Sequence, residues 1–186
     1  MQLDMKEADL SKEMALVETV LFLESEPKDS ASLARIAKLS KETVDDVIEL
    51  LKQKYRADNC GIQIEQIAGG WMLSPKKETW EAVYEMYGAK NEGKLSKSAL
   101  ETLSIIAYSQ PVTRAEIENI RGVNADNMIR LLLERKLIKE VGKKEIPGHP
   151  VQFGTTEEFL KYFHLNSISD LPQLDTAEEE RFTLAR

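Results

Sequence analysis

The residue types that most often perform chemistry are scarce in this chain of 186 residues. It contains one cysteine, Cys60, and two histidines, His149 and His164. A single cysteine excludes an intrachain disulfide and a multi-cysteine metal site. We predict that Cys60 begins a strand as a small core residue, that His149 lies in an exposed turn, and that His164 ends a helix where it favours the dipole. These residues predict neither a nucleophile with its base nor a metal site.

The glycine pairs and the carboxylates also lack the arrangement that catalysis needs. Gly69-Gly70 and Pro147-Gly148 have neither the lysine nor the spacing of a phosphate-binding loop. The chain has 32 Asp and Glu residues, but none is isolated in an apolar run that would raise its pKa. The sequence therefore predicts a protein that is not an enzyme, with no catalytic residue, no cofactor and no metal.

The charge of the chain is distributed unevenly. The net charge is −7, and 31% of the residues are charged. Residues 1–92 have a net charge of −6, residues 93–172 of +1, and residues 173–186 of −2. A negative total gives no general attraction to DNA or to an anionic membrane. Any contact with nucleic acid is therefore expected to be weak and to involve the middle of the chain.

The sequence also indicates where the protein is located. Residues 1–9 are polar, and the apolar residues after them are interrupted by Glu13, Glu18 and Glu24. This pattern lacks the basic start and apolar centre of a signal peptide. No stretch approaches the roughly 18 uninterrupted apolar residues of a membrane span. A cytoplasmic protein without membrane contact is the prediction.

Periodicity predicts the elements of the first half. Three helices, a two-stranded hairpin and a fourth helix follow one another. We expect a helix over residues 10–25, a helix capped by Ser30, a helix from Ser40 to about Tyr55, strands over 62–67 and 71–73, and a helix opened by Pro75.

The second half predicts the same order. Ser96 caps a helix, Thr113 and Glu116 form a capping box, Gly122 ends that second helix, and Asn124 caps a third. Strands are expected over residues 137–141 and 151–153, and a closing helix over 157–163.

A fixed offset of 84 residues aligns the two halves. Pro27 corresponds to Pro111, the cap Ser40 to the cap Asn124, and nine apolar positions also match. Each half has the order of a winged helix. The predicted fold is mainly α with small β-wings, an α+β protein of two tandem winged-helix domains. The expected boundaries are a first domain over 1–88, a linker over 89–95, a second domain over 96–172 and an acidic flexible tail over 173–186.

Winged helices often bind DNA, and the third helix then reads the groove. In the first domain this helix begins with residues 41–49, of which four are acidic. In the second domain Arg130 and Lys143 are basic, but Glu134 and Glu140 lie between the basic positions. A solvated face or a weak DNA contact both fit this pattern. A winged-helix transcriptional regulator therefore remains the alternative to a protein-binding module.

Several motifs resemble one bacterial family. In the second domain they are residues 95–117 (LSKSALETLSIIAYSQPVTRAEI), 120–124 (IRGVN), 141–150 (VGKKEIPGHP), 153–160 (FGTTEEFL) and 163–172 (FHLNSISDLP). In the first domain they are residues 20–27 (VLFLESEP) and 67–73 (IAGGWML). Together these motifs resemble the segregation and condensation protein B family over nearly the whole chain.

The resemblance implies a function beyond what the residues indicate alone. Members of this family are non-enzymatic accessory subunits that form homodimers and bind the kleisin, segregation and condensation protein A. Through the kleisin they associate with the structural-maintenance-of-chromosomes ATPase and support chromosome condensation and segregation at the nucleoid. The resemblance attributes dimerisation mainly to the first domain and kleisin binding largely to the second.

Candidate contact residues follow from the resemblance and from the apolar helix faces. For partner binding they are Arg114, Glu118, Arg121, Arg130, His149, Phe153 and Tyr162. For the dimer interface they are Leu10, Val17, Leu21, Val83, Tyr84 and Tyr87. Two alternatives stay open: Arg114, Glu118 and Arg121 also suit a purely structural role, and the apolar residues also suit the core of their own domain.

Overall fold

The computed structural model describes residues 10–87 and 95–174, apart from the side chain of Glu85. The chain divides into two compact units between Glu92 and Gly93. This division falls within the predicted linker, most of which lies outside the described residues. The predicted tail also lies outside them, except for Gln173 and Leu174.

The first unit contains four helices and one hairpin. Their bounds are α1 Ser11–Leu23, α2 Ser30–Ala37, α3 Lys41–Tyr55, β1 Ile62–Ile67, β2 Gly70–Pro75 and α4 Lys77–Tyr87. The fourth helix begins two residues after Pro75, which ends β2 instead of opening the helix. The strands pair antiparallel with Ile62 opposite Pro75 and Ile67 opposite Gly70.

The core of the first unit lies among α1, α2, α3 and the hairpin. Val17, Leu33 and Leu51 are fully buried at its centre, and Ile64 extends it onto β1. Ile62, two residues before Ile64 on the same strand, is 40% exposed at the start of β1. Ser40 caps α3 as predicted and accepts from the Thr43 N–H at 3.0 Å.

The cap of α2 differs from the prediction. Asp29, not Ser30, is the N-cap residue, and its side chain accepts from the Ser32 N–H at 2.7 Å. Ser30 is the first helical residue, and its hydroxyl accepts from the Trp71 indole N–H at 3.2 Å. Aspartate and serine are both strong N-caps, so the sequence offers two adjacent candidates. Because Asp29 caps the helix, the Ser30 hydroxyl is available to accept the hydrogen bond from Trp71.

The second unit contains the same order of elements, with a two-residue strand and a 3₁₀ turn in addition. Its bounds are α5 Lys97–Ser109, β3 Val112–Thr113, α6 Arg114–Arg121, α7 Asp126–Glu134, β4 Ile138–Lys143, β5 Val151–Thr155, α8 Glu157–Tyr162 and a 3₁₀ turn Ile168–Asp170. The sheet has the order β3-β5-β4, with a bulge between Glu140 and Gly142. Leu103, Ile106 and Ile117 are fully buried in its core.

Most predicted helix ends of the second unit are confirmed. The capping box of Thr113 and Glu116 is present, and Gly122 ends α6 with φ +74°. Asn124 is not the cap of α7, because Ala125 occupies that position. The Asn124 side chain instead accepts from the Asp126 N–H at 3.1 Å, within the turn before the helix.

A short β-contact after each proline occurs in both units. Lys28 follows Pro27 and exchanges two backbone hydrogen bonds with Trp71, at 3.1 and 2.8 Å. Val112 follows Pro111 and pairs with Phe153 of β5. Each unit thus adds a segment to the second strand of its hairpin, and this shared feature agrees with an internal repeat.

Candidate partner-binding surfaces

Arg114 and Glu118 lie one turn apart on α6 and are engaged within the unit. The Arg114 Nε lies 3.2 Å from Glu118 Oε1, and the Arg114 guanidinium also contacts Asp126. Glu118 Oε1 accepts in addition from the Ala125 N–H at 3.0 Å. These contacts hold the start of α7 against α6. Their geometry supports the structural alternative for both residues.

Arg121 is even more deeply engaged. Its side chain is only 5% exposed. Its guanidinium donates to the Asn124 carbonyl at 2.9 Å and to the Ser98 hydroxyl at 2.8 Å, and Nε lies 3.7 Å from a Glu101 carboxylate oxygen. Arg121 therefore joins α5 to the turn between α6 and α7, with little surface left for a partner.

The other four partner-binding candidates divide by exposure. Phe153 is 8% exposed and belongs to the core, opposite Val112 in the sheet. Arg130 is exposed on α7. His149 is exposed at the tip of the wing, with φ +42° and Nδ1 3.9 Å from Glu145. Tyr162 is 42% exposed at the end of α8. The structure does not gather these residues into one site.

The dimer candidates divide in the same way. Val17 and Leu21 are 0% and 2% exposed in the core of their own unit, so they present no surface to a second chain. Val83, Tyr84 and Tyr87 are 41%, 42% and 63% exposed on α4. Leu10 is half-buried and packs against the core. The α4 residues therefore stay candidates, and Val17 and Leu21 do not.

A second apolar face of α1 is the surface that the sequence reasoning missed. Leu16, Phe22 and Leu23 are 42%, 77% and 74% exposed, and exposed Ala15 and Thr19 lie between them. Spacings of three, four and seven residues place all five on one side of the helix, opposite the buried face. A signal was present in the sequence. Eight of the ten residues over 14–23 are apolar, more than one helix face holds.

Ion pairs account for the lysines of α3, the would-be recognition helix of the first unit. Lys41 pairs with Asp45 at 3.2 Å, Lys52 with Glu49 at 2.7 Å, and Lys54 with Glu18 at 2.7 Å. Tyr55 also donates a hydrogen bond to Glu18. Burial, together with this bond, raises the pKa of Tyr55 to about 12. The lysines of α3 are thus engaged by carboxylates of their own unit.

Glu116 links the second unit's wing to its helices. Its carboxylate accepts from the Thr113 N–H and hydroxyl, both at 2.7 Å, and from Lys144 of the wing. Burial raises the pKa of Glu116, but the bonds from Lys144 and Thr113 lower it by more, so the pKa is below the ordinary value. Glu116 is therefore a charged anchor for the wing.

Cys60, the one cysteine of the chain, has local contacts within the first unit. Cys60 is half-buried, with Sγ 3.8 Å from the Lys54 carbonyl oxygen. Within residues 10–87 and 95–174, no group of three His, Cys, Asp or Glu side chains is placed to hold a metal ion. Among these same residues no helix is long and apolar enough to cross a membrane.

The fold and its surfaces define the class of protein first. The chain is an α+β protein with two winged-helix units in tandem. The model of a family described as "Segregation and condensation complex subunit ScpB" matches residues 15–174. The chain belongs to the ScpB family of segregation and condensation complex subunits. The resemblance noted in the sequence is thereby confirmed.

Two relatives with 42% and 44% sequence identity agree with this assignment. Segregation and condensation protein B of Symbiobacterium thermophilum is 42% identical over 165 residues, covering 88% of this chain and 75% of that protein. Its namesake in Desulforamulus reducens is 44% identical over 162 residues, covering 86% and 87%. A crystal structure described as a dimer of the ScpB N-terminal domain complexed with an ScpA peptide is 29% identical. It covers 42% of this chain and 92% of that one, with a TM-score of 0.40.

Proposed function

We propose that this chain is a non-enzymatic accessory subunit that forms a homodimer and binds the kleisin ScpA. Through the kleisin it joins the structural-maintenance-of-chromosomes ATPase and supports chromosome condensation and segregation. It works in the cytoplasm, at the nucleoid. Membership of the ScpB family supports this function, and the second apolar face of α1 is the observation that favours a protein partner most.

The first unit supplies the dimer interface in this proposal. The second face of α1 exposes Leu16, Phe22 and Leu23, and α4 exposes Met86 and Tyr87 at 73% and 63%. Large apolar side chains this exposed on neighbouring turns of a helix mark a surface that another protein covers. The interface therefore consists of the second apolar face of α1 together with α4. Val17 and Leu21 support it from the core.

The second unit supplies the main kleisin contact. Arg130 and Tyr162 are the exposed candidates whose residue types most often contribute binding energy at protein interfaces. His149 at the wing tip adds a further exposed contact. Arg114, Glu118 and Arg121 shape this unit from within.

DNA reading is the weaker alternative. The lysines of α3 pair with carboxylates, and residues 1–92 have a net charge of −6. Both features oppose the approach of a phosphate backbone. Any DNA contact is weak, nonspecific and restricted to the second unit.

A competition experiment separates the two functions. The purified chain is mixed with a recombinant ScpA fragment and with duplex DNA at physiological salt, and the complexes are separated by size-exclusion chromatography. Stable co-elution with ScpA supports the proposal. Sequence-dependent binding to DNA without any binding to ScpA would instead support a winged-helix transcriptional regulator.

The salt dependence provides the second readout of this experiment. A regulator would lose DNA affinity steeply as salt increases, and would lose it again on substitution of Arg130 or Lys143 by alanine. The proposed subunit shows only weak DNA binding at low salt, with the same affinity for unrelated sequences.

A further inference from the structure

A groove in the second unit is lined almost entirely by apolar side chains. It lies between α5 and the chain that follows α8, and its volume is about 340 Å³. This volume is at the lower end of the range for binding pockets. The groove can therefore accommodate a pair of side chains but not a helix or a strand pair. The main lining residues are Leu103, Ala107, Phe159, Phe163, Leu165 and Leu171.

The polar groups of the groove are few and lie at its edge. The Tyr108 hydroxyl donates to the Pro172 carbonyl at 2.7 Å. This hydrogen bond holds the segment that follows α8 against α5. Among the described residues, Ser104 is the other polar residue of the lining, and none of the lining residues is charged. The groove therefore selects apolar groups and offers no ion pair to a charged ligand.

The chain itself continues from the wall of this groove. Leu171 and Pro172 line it, and the described residues end two positions later at Leu174. Residues 175–186, here the C-terminal segment, lie outside the described residues. They contain two large apolar side chains, Phe182 and Leu184. The match to the ScpB family also ends at residue 174, so this segment lies beyond the matched region.

The length of the C-terminal segment suits the groove. Phe182 follows Leu174 by eight residues, which span at most about 28 Å when extended. The 13 residues of α5 extend only about 20 Å. Phe182 therefore reaches any point along α5. The intervening residues include Glu178, Glu179 and Glu180, and no described residue of the lining is acidic and would repel them.

We propose that Phe182 and Leu184 occupy this groove of their own chain. A short tether gives them an effective concentration in the millimolar range, which a free peptide partner must exceed. The C-terminal segment then covers apolar surface that would otherwise face water or attract another protein. This inference goes beyond the proposed function and does not depend on it.

Methyl NMR of the full-length chain tests this occupancy. The spectra of the wild type and of a variant with Phe182→Ser and Leu184→Ser are compared, with Thr183→Ser as the matched control. Because aromatic rings shift nearby methyl signals, we expect the Leu103, Ala107, Leu165 and Leu171 methyls to shift in the double variant and to stay unchanged in the control. Groove methyls that are identical in all three proteins would overturn the proposal.

A spin label supplies an independent measurement. Cys60→Ser and Thr183→Cys together place a single labelled thiol beside Phe182. We expect the groove methyls to lose intensity when the label is paramagnetic, and to regain it when Phe182→Ser and Leu184→Ser are added. Absence of any intensity loss would overturn the proposal.

Two other occupants are distinguished by the same signals. A mixture of methyl-labelled chains without the spin label and unlabelled chains with it reports contacts between copies. Intensity loss in that mixture would assign the groove to the segment of another copy and overturn the proposal. Groove methyls that respond to an ScpA fragment, but not to the tail substitutions, would also overturn it and leave the proposed function intact.

Discussion

The guanidinium of Arg121 lies inside the second unit, between α5 and the turn that precedes α7. It contacts Ser98 at 2.8 Å, Asn124 at 2.9 Å and Glu101 at 3.7 Å. Sequence motifs show that an arginine belongs at this position, but they do not distinguish a contact within the fold from a contact with a partner. The exposed fraction of the side chain, 5%, makes that distinction.

Replacing Arg121 by alanine is expected to destabilise the second unit. The substitution removes two charge-assisted hydrogen bonds from a nearly buried site, at a cost of about 2 kcal/mol in the free energy of unfolding. Denaturant unfolding measures the change. Arg130→Ala, on an exposed side chain, is the matched control and should change the free energy by less than about 0.5 kcal/mol. Equal effects of both substitutions would contradict the internal role of Arg121.

Glu116 predicts a pH dependence of stability. Its pKa is lowered in the folded chain, because the bonds from Lys144 and Thr113 outweigh the effect of burial. The carboxylate therefore stabilises the fold above the ordinary glutamate pKa of about 4.3. This stabilisation is lost as the pH decreases from there through the lower pKa of the folded state.

Unfolding free energies measured at several pH values test this dependence. Glu116→Gln should be less stable than the wild type near neutral pH, and the difference should shrink as the pH falls below about 4. Glu134→Gln, on an exposed residue, is the control and should follow the wild type. A constant difference between wild type and Glu116→Gln across the acid range would rule out the charged anchor.

At the scale of elements, β2 passes very close to the chain before α2. A Cβ on Gly70 would lie 2.7 Å from the Lys28 nitrogen and 2.7 Å from the Pro27 carbonyl carbon. Gly70→Ala must therefore push β2 away from Lys28, and we expect a loss of about 1–3 kcal/mol in the free energy of unfolding.

Gly142→Ala is the matched control in the other hairpin. A Cβ there would meet no heavy atom of the described residues within 4 Å. Thermal unfolding should show a lower midpoint for Gly70→Ala and little change for Gly142→Ala. If Gly70→Ala is as stable as the wild type, the close approach of β2 to Lys28 is not maintained in solution.

The second apolar face of α1 predicts how substitutions affect dimerisation. Phe22→Ser with Leu23→Ser removes two side chains that are 77% and 74% exposed, so the first unit should stay folded. Because the same side chains form the proposed interface, the variant should dissociate into single chains at concentrations where the wild type is a dimer. Analytical ultracentrifugation measures this shift.

Ile62→Ser is the control for α1. Ile62 is 40% exposed in the same unit but lies on β1, outside the proposed interface. The control should dimerise like the wild type. If the Phe22→Ser, Leu23→Ser variant dimerises with unchanged affinity, the second apolar face of α1 is not part of the dimer interface.

The elements show what the sequence predicts and where it stops. Helix periods, the caps Ser40 and Ser96, and the box of Thr113 and Glu116 are local features, so residue types alone predict them. The two-residue strand Val112–Thr113 escapes prediction, since it exists only through pairing with β5. For the same reason the sequence does not say which apolar positions of α1 face inward.

At the scale of the whole molecule, the net charge and the family membership both favour protein partners over DNA. The chain belongs to the ScpB family, and the net charge of −6 over residues 1–92 opposes the binding of DNA by the first unit. Charge alone predicts only that any DNA contact involves the middle of the chain, and the family resemblance assigns the protein contacts to the two domains. Of the dimer candidates, Val17 and Leu21 lie on the buried face of α1, whereas Tyr84 and Tyr87 are exposed on α4.

The mass of the chain in solution, with and without an ScpA fragment, tests the central claim most directly. Light scattering after size-exclusion chromatography should give twice the mass of one chain for the protein alone. On addition of the fragment, the mass should rise above that of the dimer, because the kleisin fragment co-elutes with it. A single-chain mass at every concentration, unchanged by the fragment, would contradict the account.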